Sequence, residues 1–236
     1  MSDFDRNVAA FPRTDRAVAV DAGLRAHMIR VYNYMATGVA LTGVVAWFTN
    51  QYFGQALYAS PLMYVLIFAP LALVLFLSFG IDRLSASMAR ALFFVYAGLL
   101  GASLSIIFAI YTDASITRVF FISAASFGAL SLWGYTTQRD LTGMGSFMMM
   151  GLIGILIASL VNIFLRSSGL DWIISVIGVV VFAGLTAWDT QKIKEMYDPM
   201  DDGTIGGRKA VMGALSLYLD FINLFLMLLR LFGDRR

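Results

Sequence analysis

Two acids stand in stretches of this chain that are otherwise apolar: Asp189, in "GLTAWDTQKIKEMYD", and Asp220, in "GALSLYLDFINLFLMLLR". A carboxylate at the centre of a membrane-spanning helix costs about 2.5–3.5 kcal/mol on insertion scales, so an acid kept there is functional by default. Asp220 falls about nine residues into the last apolar stretch, roughly 13 Å along a helix rising 1.5 Å per residue. Asp189 closes the preceding stretch, three residues before Lys192. If one helix runs outward-to-inward and the next returns, both acids lie toward the cytoplasmic half and could meet.

Meeting would have a chemical consequence. Two carboxylates within hydrogen-bonding reach in a low-dielectric site cannot both stay ionised. They share a proton and titrate as a coupled pair. Protonated, such a pair can hold two helices together; ionised, it repels itself and attracts cations. Hard cations such as Ca²⁺ favour these oxygen ligands, although two carboxylates are too few for a tight metal site. Plainer readings stand beside this one. Asp189 could be an interfacial acid paired with Lys192 or Lys194. Asp220 could be satisfied by Ser216 and Asn223, which share its helix face. Asn162 and Thr186 are further polar candidates for the same interior, with packing as their simpler role. By residue count Asp189 is a turn or two shallower than Asp220, so the last helix must begin well outside the hydrocarbon or the one before it must tilt.

The elements that would position these groups follow from hydropathy. Apolar residues make up 59% of the 236 and only 14% are charged, well below the quarter usual in soluble domains. This is the composition of an all-α integral membrane protein. A spanning helix needs about 20 mostly apolar residues, and seven stretches qualify or nearly so: 31–48, 62–81, 91–111, 119–135, 145–165, 172–190 and 212–232. Residues 1–30 form a polar leader, part disordered or interfacial, and 233–236 a short charged tail. Ala97, Gly101 and Ser105 recur at every fourth position, as do Gly154 and Ala158, a spacing that lets helices approach closely. Pro70 interrupts the second stretch and predicts a kink.

Lys and Arg set the orientation. With the N-terminus cytoplasmic, the leader and the inner loops hold most basic residues, while the outer loops hold only Arg118 and Arg166. Arg230, Arg235 and Arg236 run against this if the last helix spans fully. Cysteine is absent, which excludes disulfides, thiolate catalysis and Cys-based zinc sites. The single histidine, His27, reads as a solvated residue just ahead of the first span. A net charge of +2 spread over helix ends gives no reason to expect nucleic acid.

"LYLDFINLFLMLLRLFG" following "FAGLTAWDTQKIKEMY", together with the run from Phe127 to Leu165, resembles the transmembrane Bax inhibitor motif family, in its bacterial YccA-like branch. The likeness covers roughly residues 25–233. It implies seven transmembrane helices with the last one central in the bundle, in a bacterial inner (plasma) membrane. It implies a di-aspartyl pH sensor, mapping onto Asp189 and Asp220, and a pH-sensitive calcium leak. It also implies an arginine latch to the acid pair, for which Arg83 in "FGIDRLS" is the counterpart, although Asp82 beside it could neutralise it at the surface. Trp188 stands where tyrosine is common.

The leading expectation is therefore a pH-gated leak for Ca²⁺ or another cation, without cofactor. The alternative is an adaptor that binds a membrane-anchored AAA protease or stress factor through its leader. Catalysis is not expected. The acid at 220 lacks the flanking glycines of intramembrane aspartyl proteases, and no histidine or lysine lies in the last span to serve a serine protease or a retinal.

Overall fold

A computed structural model describes the chain from Arg13 to Arg236, and among these residues there is no β-strand, only helix and short turns. Residues 1–12 of the leader lie outside the described residues. Helix α1 (Arg13–Tyr58) joins the rest of the leader to the first apolar stretch without a break. Its 46 residues would measure about 69 Å, far more than a hydrocarbon core of about 30 Å, so much of it lies outside the bilayer core. Then come α2 (Leu62–Gly80), a 3₁₀ turn (Ile81–Arg83), α3 (Ala86–Leu104) and the single turn α4 (Ile107–Ile110). The chain ends with α5 (Asp113–Thr136), α6 (Thr142–Leu165), α7 (Ser168–Glu195) and α8 (Gly203–Phe232). Polar side chains start several of them: Ser85, Thr112, Ser167 and Asp202 each accept a hydrogen bond from a first-turn amide.

Among the described residues six helices are long and apolar enough to cross a membrane, one fewer than the seven expected. The helix outside that set is α1, whose apolar stretch is diluted by Asn33, Thr37 and Thr42. Their polarity is partly absorbed within the helix, since the Thr37 hydroxyl donates to the Asn33 carbonyl and the Thr42 hydroxyl to that of Gly38. Two other boundaries differ from expectation. The third stretch breaks at Ser105, whose amide and hydroxyl both turn back to the Ala102 carbonyl. The fourth, expected over 119–135, is a 24-residue helix. Helix α2 continues through Pro70.

The last helix is the hub. In its most apolar window 72% of residues are buried, against 11% in α2 and 6% in α6. It packs on α7, α1, α5 and α3. Lipid tails are as apolar as leucine, so packing and hydrogen bonds, rather than hydrophobicity, hold such helices together. Small residues do this here. A Cβ on Gly134 of α5 would collide with the Ala187 carbonyl of α7, and one on Gly145 of α6 with the Trp188 ring. Ala97, Gly101 and Ser105 are buried as expected, with Gly101 against the Thr42 backbone. The Gly154 pattern does not hold: Gly154 faces open space.

At the opposite end from the α7–α8 loop, the tail is pinned to the corner between α4 and α5. Arg236 pairs with Asp113 at 2.7 Å, Asp234 with Arg118 at 3.0 Å, and the Thr112 amide donates to the Asp234 carbonyl.

Candidate functional site

The antiparallel packing of α7 on α8 sets the register of the two acids. Gly213 receives Ile193, and Gly178 receives Met227. Asp189 and Asp220 fall between these contacts and open onto the same cavity. The depth mismatch expected from residue counting resolves at the start of α8. That helix begins at Gly203, 17 residues before Asp220, whereas α7 ends at Glu195, six residues after Asp189. The first turns of α8 therefore overshoot α7 and cross to the corner between α2 and α3. There Gly207 abuts Ala86, and Arg208 donates to the Asp82 carbonyl.

Asp220 is 5% exposed and its Oδ2 has no hydrogen-bond partner. Asp189 is half-buried. Both line a cavity of about 490 Å³ bounded by α6, α7 and α8. Ser216 and Asn223 line it too, as expected from their shared helix face. Asn223, however, donates to the Leu219 carbonyl of its own helix at 2.8 Å, so it does not satisfy Asp220. Lys192 lies at one end of the cavity and Arg230 at the other, the latter 3.7 Å from Asp171.

Three expected members sit elsewhere. Asn162 caps the end of α6, where its Oδ1 accepts from the Ser167 amide at 3.0 Å. Thr186 is fully buried and donates to the Phe182 carbonyl, a packing role away from the cavity. Arg83 is exposed at the foot of α2, beside Phe79 and Leu84, and the structure does not bring it to the acids. Lys192, one turn beyond Asp189 on α7, lines the cavity with them instead. Its Nζ also lies 5.0 Å from the Trp188 ring centroid. Sequence reading used Lys192 only as a neutralising partner for a surface acid, and nothing but the α7–α8 register could have placed it at a buried pair.

Among the described residues no cluster of three His, Asp or Glu side chains is placed to hold a metal ion.

Two features that sequence reading missed brace the site. On the far face of α8, the Tyr218 hydroxyl meets the Thr42 hydroxyl at 2.6 Å, and Thr42 also reaches the Ala97 carbonyl at 2.9 Å, tying α8, α1 and α3 together. At the end of α7, the Gln191 amide bridges the α5–α6 loop, donating to the Arg139 carbonyl and accepting from the Leu141 amide. His27 corrects an expectation: it is 6% exposed, inside α1, with its ring 5.8 Å from that of Tyr197 in the α7–α8 loop.

Comparison with known proteins adds three findings. The family model described as inhibitor of apoptosis-promoting Bax1 matches residues 24–236. The inner membrane protein YbhL of Escherichia coli K12 is 50% identical over 231 residues, covering 96% of this chain and 99% of that protein. The uncharacterized protein RP147 of Rickettsia prowazekii is 51% identical over 225 residues, covering 94% and 95% respectively.

Proposed function

The chain belongs to the family of inhibitors of apoptosis-promoting Bax1, and on that premise we propose that it is a pH-sensitive leak for Ca²⁺ or a similar cation, gated by Asp189 and Asp220. The observation that carries this reading is the unpartnered Asp220 Oδ2, buried beside a second carboxyl in a cavity of the membrane-embedded bundle. A hydrogen bond between two carboxyls requires a shared proton. With the proton in place the pair joins α7 to α8 and carries reduced charge. With it gone, two carboxylates repel each other and offer four oxygens to a cation. The pair then both senses protons and lines the path, and the protein is a conduit rather than an enzyme.

Topology completes the proposal: seven spans including α1, in a bacterial inner membrane, with the N-terminus cytoplasmic. Its support is the excess of Lys and Arg in the leader and alternate loops. Of the three basic residues at the tail, Arg230 and Arg236 have acid partners, in Asp171 and Asp113.

Proteoliposomes loaded with a calcium dye test the gate. Wild type is expected to admit Ca²⁺ in a pH-dependent manner between pH 6 and 8. Asp220→Asn is expected to remove that dependence while folding normally. Equal and pH-independent influx in wild type and variant would overturn the reading.

A further inference from the structure

Helices α1 and α5 both lean on α8 but make no extended contact with each other. The seam between them holds a groove of about 460 Å³ whose lining changes character along its length. At one end are Arg25 and Tyr135; at the other are Tyr32, Phe127 and Gly128, with Met28 between. The two walls run antiparallel and match in depth. Arg25 to Tyr32 is seven residues along α1, and Tyr135 to Phe127 eight along α5, each about 10–12 Å. That reaches most of the way through one leaflet of a core about 30 Å thick. A second cation stands at the charged end: Lys194 donates to the Tyr135 carbonyl at 3.0 Å, with its Nζ 5.3 Å from the Tyr135 ring centroid.

We propose that this groove is a binding site for one anionic phospholipid of the leaflet at the N-terminal end of α1. Its phosphate would sit between Arg25 and Lys194, and one acyl chain would lie along Met28, Gly128 and Phe127. The charge decides the occupant. A membrane helix or an acyl chain alone would find no use for a guanidinium and an ammonium flanking a tyrosine at the mouth. An anionic headgroup satisfies both, with Tyr135 at the depth where aromatic rings favour the interface. Gly128 keeps the lower groove open, since a Cβ there would meet no protein atom within 4 Å. The site is separate from the aspartate cavity and stands whether or not the chain leaks cations. Only the naming of that leaflet as the inner one rests on the proposed orientation.

The experiment is native mass spectrometry of the full chain released from nanodiscs of phosphatidylglycerol mixed with phosphatidylcholine. Wild type is expected to retain one phosphatidylglycerol. Arg25→Gln is expected to lower that retention about fivefold, the effect of one surface cation, with Arg25→Lys retaining most of it. Gly128→Leu adds a side chain to the lower groove at a position where a Cβ meets no protein atom within 4 Å, and is expected to displace the lipid without lowering the melting temperature. Retention that ignores headgroup charge, or that survives both Arg25→Gln and Gly128→Leu, would overturn the site. So would a dimer peak that either variant abolishes, since the seam would then be a protein interface.

Discussion

Tyr218 and Asp220 lie two residues apart, on opposite faces of one helix, and they handle burial in opposite ways. The tyrosine hydroxyl is partnered by Thr42 at 2.6 Å, while one oxygen of the aspartate has no partner. The first arrangement holds the bundle together and the second leaves a group ready to react. The tie is asymmetric, because Thr42 also contacts the Gly38 and Ala97 carbonyls. Tyr218→Phe therefore removes one bond of a kind that averages about 0.6 kcal/mol in membrane proteins. Thr42→Val leaves the Tyr218 hydroxyl buried and unpaired, which costs about 1–3 kcal/mol. Thermal unfolding in detergent is expected to rank Thr42→Val well below Tyr218→Phe, and equal losses would refute this account. The sequence made Asp220 conspicuous because a charge in an apolar run is rare. Tyr218 and Thr42 lie 176 residues apart and are ordinary in composition, so neither carried a signal of its partner.

Elements were legible where apolar length defines them and illegible where they leave the membrane. Hydropathy located every long helix from α2 onward, but it could not show α8 starting at Gly203. The turns before Val211 are polar, and packing against the α2–α3 corner keeps them helical. That overshoot is what aligns Asp220 with Asp189. Spacing of small residues was a weaker guide: it found Gly101 but also Gly154, and it passed over Gly134, whose partner is a carbonyl on α7. The two glycines give a sharp contrast. Gly134→Ala is expected to force α5 from α7 and cost about 1–3 kcal/mol, as overpacking does, whereas Gly154→Ala, facing open space, is expected to melt with wild type. His27 yields a pH dependence at the same scale. Burial holds its pKa below the ordinary 6.5, helped by Arg30 and Lys209 and opposed by Asp201. The unfolded chain thus binds this proton more readily, so the stability of the α1 contact with Tyr197 is complete above about pH 6.5 and falls on acidification. Hydrogen exchange in the α7–α8 loop is expected to quicken between pH 7 and 5, after correction for intrinsic rates, and His27→Gln is expected to flatten that change.

At the scale of the whole molecule the open question is how a chain with six evident spans and one diluted helix sits in a bilayer. The tail and the α4–α5 corner share one end of the molecule, and the α7–α8 loop shares the other with His27 of α1. Those pairings show that α8 runs the length of the bundle rather than turning back as a hairpin, because its two ends contact structures at opposite ends of the bundle. Helix α1 runs alongside it: it carries His27 at the loop end, Thr42 beside Tyr218 halfway along, and continues to Tyr58. Of the polar residues that lower its hydropathy, Thr42 is the one that binds it to α3 and α8. The absence of cysteine allows a direct measurement, since a single introduced thiol is the sole target of a maleimide. In intact spheroplasts a membrane-impermeant maleimide is expected to label Ser60→Cys and Asp234→Cys, and to label Asp21→Cys and Met200→Cys only after lysis. Labelling of position 60 together with 21 would mean that α1 does not cross. Labelling of 234 together with 200 would remove the full crossing of α8, and with it the depth at which the two carboxyls meet.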